Sequence, residues 1–164
     1  CSSPERPRSR KFSPNATSPC PPAVALATAG LMWLVSRAMP DLGFTFPAPA
    51  LFARGCAAAG ILIAISGAVA FRRARTTLNP MKPDKATSLV ASGVFALTRN
   101  PMYLGLLLGL TGWSIFLSNA AAFILLPAFV WYMNRFQIVP EERTLASRFG
   151  QDFAAYKARV RRWL

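Results

Sequence analysis

Histidine is absent from the 164-residue chain. Its absence excludes a histidine general base, a Ser-His-Asp triad and histidine-ligated metal. Cysteine is scarce: Cys1, Cys20 and Cys56 stand far apart with no CxxC spacing, so neither a zinc site nor a disulfide framework is supported, and no metal is expected. Acidic residues number 6 against 19 lysines and arginines, which leaves a net charge of +13. No stretch shows the alternation of a half-buried strand, so the expectation is an all-α fold.

What the chain does have is apolar sequence, 53% of it, gathered into runs at roughly 23–39, 50–71, 102–117 and 120–138. These lengths lie near the lower end of the roughly 17–25 residues that a bilayer span requires. About four transmembrane helices follow, with residues 23–164 as one membrane-embedded domain and the Pro-, Ser- and Arg-rich residues 1–22 as a disordered basic tail. The charge is segregated around the runs. Arg6, Arg8, Arg10 and Lys11 precede the first. Arg72, Arg73, Arg75, Lys82, Lys85 and Arg99 lie between the second and third, and Arg135, Arg143, Arg148, Lys157, Arg159, Arg161 and Arg162 follow the fourth. Alternating basic blocks of this kind place both termini in the cytoplasm. They account for the basic charge as a consequence of the lipid bilayer, with no nucleic-acid partner.

Small residues mark packing faces. Gly60, Ala64, Gly67 and Ala68 in the second run let a neighbouring helix approach closely, and Gly105, Gly109 and Gly112 in the third are read as helix-packing glycines. An apolar tail entering sideways from the lipid between these two spans is an expectation resting on those residues alone. Only Ser118-Asn119 separates the last two runs, which predicts a tight helical hairpin. Two short amphipathic helices are expected after the fourth span on the cytoplasmic side. Pro140 opens the first and Gly150 caps it, and the second, to about Arg162, carries Phe153, Tyr156 and Val160 on one stripe.

Chemistry has two places to sit. Asn100-Pro101 is a sharply defined helix start, with Asn100 as the N-cap and Pro101 as the first helical residue. It presents backbone N–H groups and the positive dipole end beside Arg99 and Tyr103, a natural carboxylate site. The second place is Glu141-Glu142, a pair of acids among arginines directly after a membrane exit, able to bond ribose hydroxyls or attract a sulfonium charge. Farther on, Tyr156 and Arg159 lie one turn apart and can share a helix face. Ordinary caps, dipole-stabilising acids and interfacial arginines account for the same residues in a noncatalytic membrane protein.

Taken together, Gly93-Val94-Phe95, Arg99-Asn100-Pro101-Met102-Tyr103-Leu104-Gly105, Glu141-Glu142 and the run from Phe149-Gly150-Gln151 to Tyr156-Lys157-Ala158-Arg159-Val160 resemble a known family. It is that of the isoprenylcysteine carboxyl methyltransferases, which also takes in phospholipid N-methyltransferases. The likeness covers roughly residues 70–164 and follows, in order, the family's Arg-His-Pro-x-Tyr motif, glutamate pair and terminal Tyr-x-x-Arg helix. It implies a helical membrane enzyme that binds S-adenosyl-L-methionine at the cytoplasmic side and methylates a lipophilic or prenylated acceptor. Carried over, Arg99, Asn100, Pro101, Tyr103, Glu141, Glu142 and Tyr156 form the cofactor site. Glu142 and Arg159 are the catalytic pair, with Arg159 orienting an acceptor carboxylate. Asn100 stands where the family often has His, so a proton-carrying role there is lost. A carboxylate acceptor needs no base and is therefore favoured; a lipid amine or a thiol must lose a proton, for which Glu141 and Glu142 are the local candidates. A membrane reductase using a nicotinamide cofactor is a further alternative, disfavoured by the glutamate pair and the Tyr-x-x-Arg helix.

Overall fold

The computed structural model describes residues 19–73 and 91–164. The basic tail up to residue 18, and Arg75, Lys82 and Lys85 of the second basic block, lie outside the described residues. Prolines and apolar runs together set the helix starts. Pro21, Pro49 and Pro101 stand first in α1 (Pro21–Ala38), α2 (Pro49–Arg73) and α3 (Pro101–Leu117), where a missing N–H costs nothing. Then come α4 (Ala120–Tyr132), a π-helical stretch Met133–Ile138, and α5 (Val139–Arg159). Among the described residues the only β-type pairing is an isolated bridge between Gly43 and Asn119.

Helix α3 is the axis of the bundle, with α1 packed against it and α4, and α2 laid antiparallel along it. The α2–α3 contact is made backbone to backbone. A Cβ at Gly60 would fall 2.6 Å from the Gly105 carbonyl oxygen, and one at Gly105 would fall 2.7 Å from that of Gly60. One turn-pair on, a Cβ at Gly112 would meet the Ala53 oxygen and Cys56 Cβ at 2.9 Å. The packing role read for Gly60, Gly105 and Gly112 therefore holds. Gly109 is a correction, since nothing approaches its Cβ position within 4 Å and it lies exposed. Backbone contact at Gly60 and Gly105 also leaves no passage at that level, so an acceptor tail does not enter between α2 and α3 there.

The expected hairpin is present. Ser118 adopts the left-handed conformation (φ 47°), and Asn119 caps α4 by accepting from Ala121 N at 2.9 Å. Its amide nitrogen donates to the Met39 carbonyl at 2.8 Å, which ties the hairpin tip to the end of α1. Trp113 Nε1 fastens α3 to α1 through the Ala29 carbonyl at 3.1 Å.

The segment after the fourth span differs from the two separate helices expected. The chain stays helical from Ala120 to Arg159 because the widened turns of Met133–Ile138 precede Pro140, whose missing N–H would otherwise interrupt the regular ladder. The glycine break is where it was expected: Gly150 (φ 50°, ψ −118°) divides α5 in two. Beyond it Phe153, Tyr156 and Val160 form a second apolar cluster with Leu145, Phe149 and Ala91.

Two helices, Pro49–Ala70 and Ala120–Arg159, are long and apolar enough to cross a membrane. Helix α1 (18 residues) and α3 (17 residues) are shorter, at roughly 27 and 26 Å against a hydrocarbon core of about 30 Å. Leu26, Leu31 and Leu34 of α1, Leu51, Phe52, Ile61, Leu62 and Ile65 of α2, and Ile124 and Trp131 of α4 all point outward. So continuous an apolar sleeve belongs in lipid, where the helix is the backbone form that satisfies most of its polar groups internally. The fold is that of an all-α integral membrane protein.

Valine at position 60 must push two backbones apart, so Gly60→Val is expected to cost about 1–3 kcal/mol or more and to lower the melting temperature in detergent. Gly109→Ala should be neutral or stabilising, because it meets open space and improves helix propensity by up to about 1 kcal/mol. Equal effects of the two substitutions would contradict this packing account.

Candidate active site

The end of the bundle that carries the start of α3 and the exit of α4 collects the polar side chains. Its backbone frame is a staple between two segments far apart in sequence. Arg99 N donates to the Arg161 carbonyl at 3.0 Å, while Thr98 Oγ1 (3.3 Å) and Asn100 Nδ2 (3.0 Å) both donate to the Arg162 carbonyl. Thr98 is 1% exposed, and its hydroxyl oxygen also accepts from Asn100 N at 3.2 Å. Asn100 occupies the N-cap position of α3, but its side chain makes no capping bond. This corrects the expected cap: the amide is turned to the Arg162 carbonyl, so the first-turn N–H groups of α3 gain no side-chain acceptor from it.

Glu142 is the electrostatic centre. Arg162 grips it with both oxygens engaged, Nε to Oε1 at 3.1 Å and Nη2 to Oε2 at 2.8 Å, the forked pairing that makes arginine–carboxylate contacts strong. Arg99 Nη1 stands 3.0 Å from Oε1 and Lys157 Nζ 3.9 Å from Oε2. The Arg99 side chain is only 10% exposed, and neither its Nε nor its Nη1 has a hydrogen-bond partner. The contact of Nη1 with Glu142 is thus an ion pair without hydrogen-bond alignment.

Glu141 is held differently. Tyr103, buried in the first turn of α3, donates its hydroxyl to Glu141 Oε1. Burial pushes the Glu141 carboxyl up to about 7; the tyrosine hydrogen bond opposes this and the neighbouring Glu142 charge adds to it. Asn134, from the π-helical stretch, accepts from Trp163 Nε1 at 3.2 Å and from Arg162 Nη1 at 3.5 Å. The widened turns therefore position an amide that holds residues 162–163 against the bundle.

The structure thus brings Arg99, Asn100, Pro101, Tyr103, Glu141 and Glu142 to one end of the molecule. One other reading is corrected. Tyr156 and Arg159 do not share a face: Tyr156 is buried and donates to the Phe95 carbonyl at 2.7 Å, whereas Arg159 is exposed without a hydrogen bond or ion pair. The apolar cluster around Phe153 draws the tyrosine inward, and the helix ends at Arg159, leaving that guanidinium outside. The arginine that joins the cluster is Arg162. Its place at the site is not evident from the sequence, and neither are those of Asn134, Lys157 and Trp163. A polar residue at the end of an apolar run was the available signal for Asn134; Arg162 had none, since it stands in a basic stretch read as interfacial.

Chemically, the cluster offers one carboxylate to Arg99, Lys157 and Arg162, with buried guanidinium donors left over. Those leftover donors are of the kind that an anionic group can engage.

The family model for phospholipid methyltransferases matches residues 49–152. A Haemophilus influenzae protein described as uncharacterized is 46% identical over 63 residues, 38% of this chain and all of that protein. The protein-S-isoprenylcysteine O-methyltransferase of Rattus norvegicus is 34% identical over 111 residues, 63% of this chain and 39% of the relative. Protein-S-isoprenylcysteine O-methyltransferase B of Arabidopsis thaliana is 31% identical over 88 residues, 54% of this chain and 45% of the relative. The chain therefore spans less than half the length of the named methyltransferases that it matches. No solved structure matches. With its helical membrane fold, and with the family match covering α2 through most of α5, the chain is similar to the isoprenylcysteine O-methyltransferases and belongs to the phospholipid methyltransferase family.

Proposed function

We propose that this protein transfers a methyl group from S-adenosylmethionine to the carboxylate of a lipophilic acceptor at the cytoplasmic face of the membrane. The observation that carries the reading is the pair of buried Arg99 donors, Nε and Nη1, that make no hydrogen bond beside Glu142 at the start of α3. The donor set fits an amino-acid-bearing sulfonium nucleotide. Arg99 and the uncapped first turn of α3 suit its carboxylate, and the negative Glu142 suits hydroxyls or positive charge. Tyr103 and Pro101 of α3, with Glu141 of α5 bonded to the tyrosine, stand beside this cluster.

When bound, S-adenosylmethionine supplies an electrophilic methyl group that a carboxylate oxygen can displace without a base. The chain's own part is then to align the acceptor, exclude water and present charge in fixed positions, from which much of the rate can arise. Buried Tyr103 and Thr98 keep this end dry, and the Arg162 staple holds the start of α3 against the tail. Arg159 lies at the exposed rim, where a role in drawing an acceptor carboxylate toward the site rests on charge alone. An amine acceptor is the second reading. Glu141, with its carboxyl raised to about 7, is a base matched to neutral pH, whereas a carboxylate acceptor leaves it idle.

We also propose that both termini lie in the cytoplasm. Arg72, Arg73, Arg99 and Arg135 lie at the end of the bundle that carries the site, as the positive-inside rule requires. A membrane-impermeant maleimide should label exposed Cys20 in a Cys1→Ser background only in inverted vesicles. Labelling in right-side-out vesicles would reverse the topology.

Purified protein should bind S-adenosylhomocysteine, and Arg99→Ala should weaken that binding at least about tenfold, about 1.4 kcal/mol. Unchanged affinity in the variant would refute the site, and S-adenosylhomocysteine release with lipid amines but not amphipathic carboxylates would move the acceptor to the second reading. Stability supplies an independent check. A carboxyl raised in the folded state favours its protonated form, so its contribution is complete below the ordinary carboxylate range and is lost as pH rises through about 7. The melting temperature should fall across that pH, and Glu141→Gln should flatten the fall; an identical profile in the variant would contradict the burial of Glu141.

A further inference from the structure

We infer that Arg162 is a positioning residue of the cofactor site: by occupying both oxygens of Glu142, it keeps the Nε and Nη1 donors of Arg99 free for the carboxylate of the bound nucleotide. The inference rests on the cofactor reading above, but concerns a residue that neither the motif nor the family pattern singled out.

Three cations converge on Glu142, and only one is hydrogen-bonded to it. Arg162 makes the forked contact at 3.1 and 2.8 Å. Arg99, although its Nη1 is 3.0 Å from Oε1, makes no hydrogen bond with that nitrogen or with Nε. A nine-tenths buried guanidinium beside a carboxylate normally closes a fork upon it, because a buried donor left unbonded is destabilising. Here the fork is already taken. The surplus donors, and the positive charge left over when three cations share one carboxylate, stand where a ligand carboxylate can satisfy both.

Arg162 is held in this role without help from its own charge. Its carbonyl accepts from Thr98 and Asn100, the Arg161 carbonyl accepts from Arg99 N, and the neighbouring Trp163 indole is held by Asn134. Truncating the Arg162 side chain leaves these bonds in place. What it removes is the competitor for Glu142, which is then free to take the Arg99 fork and withdraw those donors from the ligand.

The test is a double-mutant cycle with two probes. S-adenosylhomocysteine carries the amino-acid carboxylate, and 5′-methylthioadenosine lacks it. Binding of each is measured by titration calorimetry on the full chain in detergent. Arg162→Ala should weaken S-adenosylhomocysteine at least tenfold when position 142 is Glu, and less than twofold in a Glu142→Gln background, where the pull on Arg99 is gone. Methylthioadenosine should change less than twofold in either background. Equal losses in both backgrounds would mean that Arg162 touches the nucleotide itself, and equal losses for both probes would mean a general collapse of the pocket; either overturns the inference. If Arg162→Ala does not yield folded protein, Arg162→Gln carries the same comparison. A wild-type protein that binds neither probe overturns the cofactor reading and this inference with it, whereas wild-type binding with no effect of Arg162→Ala overturns this inference alone.

Discussion

The carboxylate of Glu142 joins the parts of this molecule that would otherwise be independent. Arg99 reaches it from the residue before the N-cap of α3, Lys157 from the second half of α5, and Arg162 from beyond the end of that helix. Lys157 is half exposed and contributes little, as surface pairs do. Arg99 and Glu142 are largely withdrawn from water, at 10% and 12% side-chain exposure, where breaking one partner strands the other's charge. One negative charge shared among three positive ones is not a balanced arrangement. The imbalance is the physical reason for reading the cluster as a binding site for an anion, where a balanced cluster would read as a structural ion pair.

The cluster can be polar and buried because the bundle beneath it is rigid. Helix α3 begins at the site with Pro101 and Tyr103 and continues through Gly105, where its backbone touches that of α2 at Gly60. The first turn of α3 is thus fixed by a contact that leaves no room for side chains to shift. On its other flank α3 is fastened to α1 through Trp113 and turns into α4 at Ser118-Asn119. Site geometry at the membrane surface therefore depends on glycine packing inside the bilayer.

Much of the membrane frame was legible in the sequence because local chemistry decides it. Two polar residues between apolar runs make a hairpin, glycines at helical spacing make a close crossing, and Gly150 breaks a helix wherever the flanking pattern is amphipathic. Arg99, Tyr103, Glu141 and Glu142 were legible as a group through the resemblance, since motif order places them together. Features decided by tertiary contact were not. The spacing of Tyr156 and Arg159 allows a shared face, but burial of the tyrosine under Phe95 leaves the arginine outside. Pro140 suggested a fresh helix start, yet the widened turns before it carry the helix through. Arg162 meets Asn100 across 62 positions and Glu142 across 20, separations at which no periodicity speaks.

The chemistry proposed for this site asks little of any single group. A sulfonium methyl donor brings its own reactivity, so the protein supplies alignment, dryness and fixed charge, and a chain without histidine is no worse for it. What the account does require is that the nucleotide lie against Arg99 and Glu142 at the inner end of α3. The most direct measurement is an experimental structure of the protein in a lipid nanodisc with S-adenosylhomocysteine bound. The account predicts the nucleotide's carboxylate within hydrogen-bond distance of Arg99 Nε or Nη1, with Glu142 still gripped by Arg162. A nucleotide seated elsewhere, or Arg99 and Glu142 separated by the thickness of the bilayer, would contradict it.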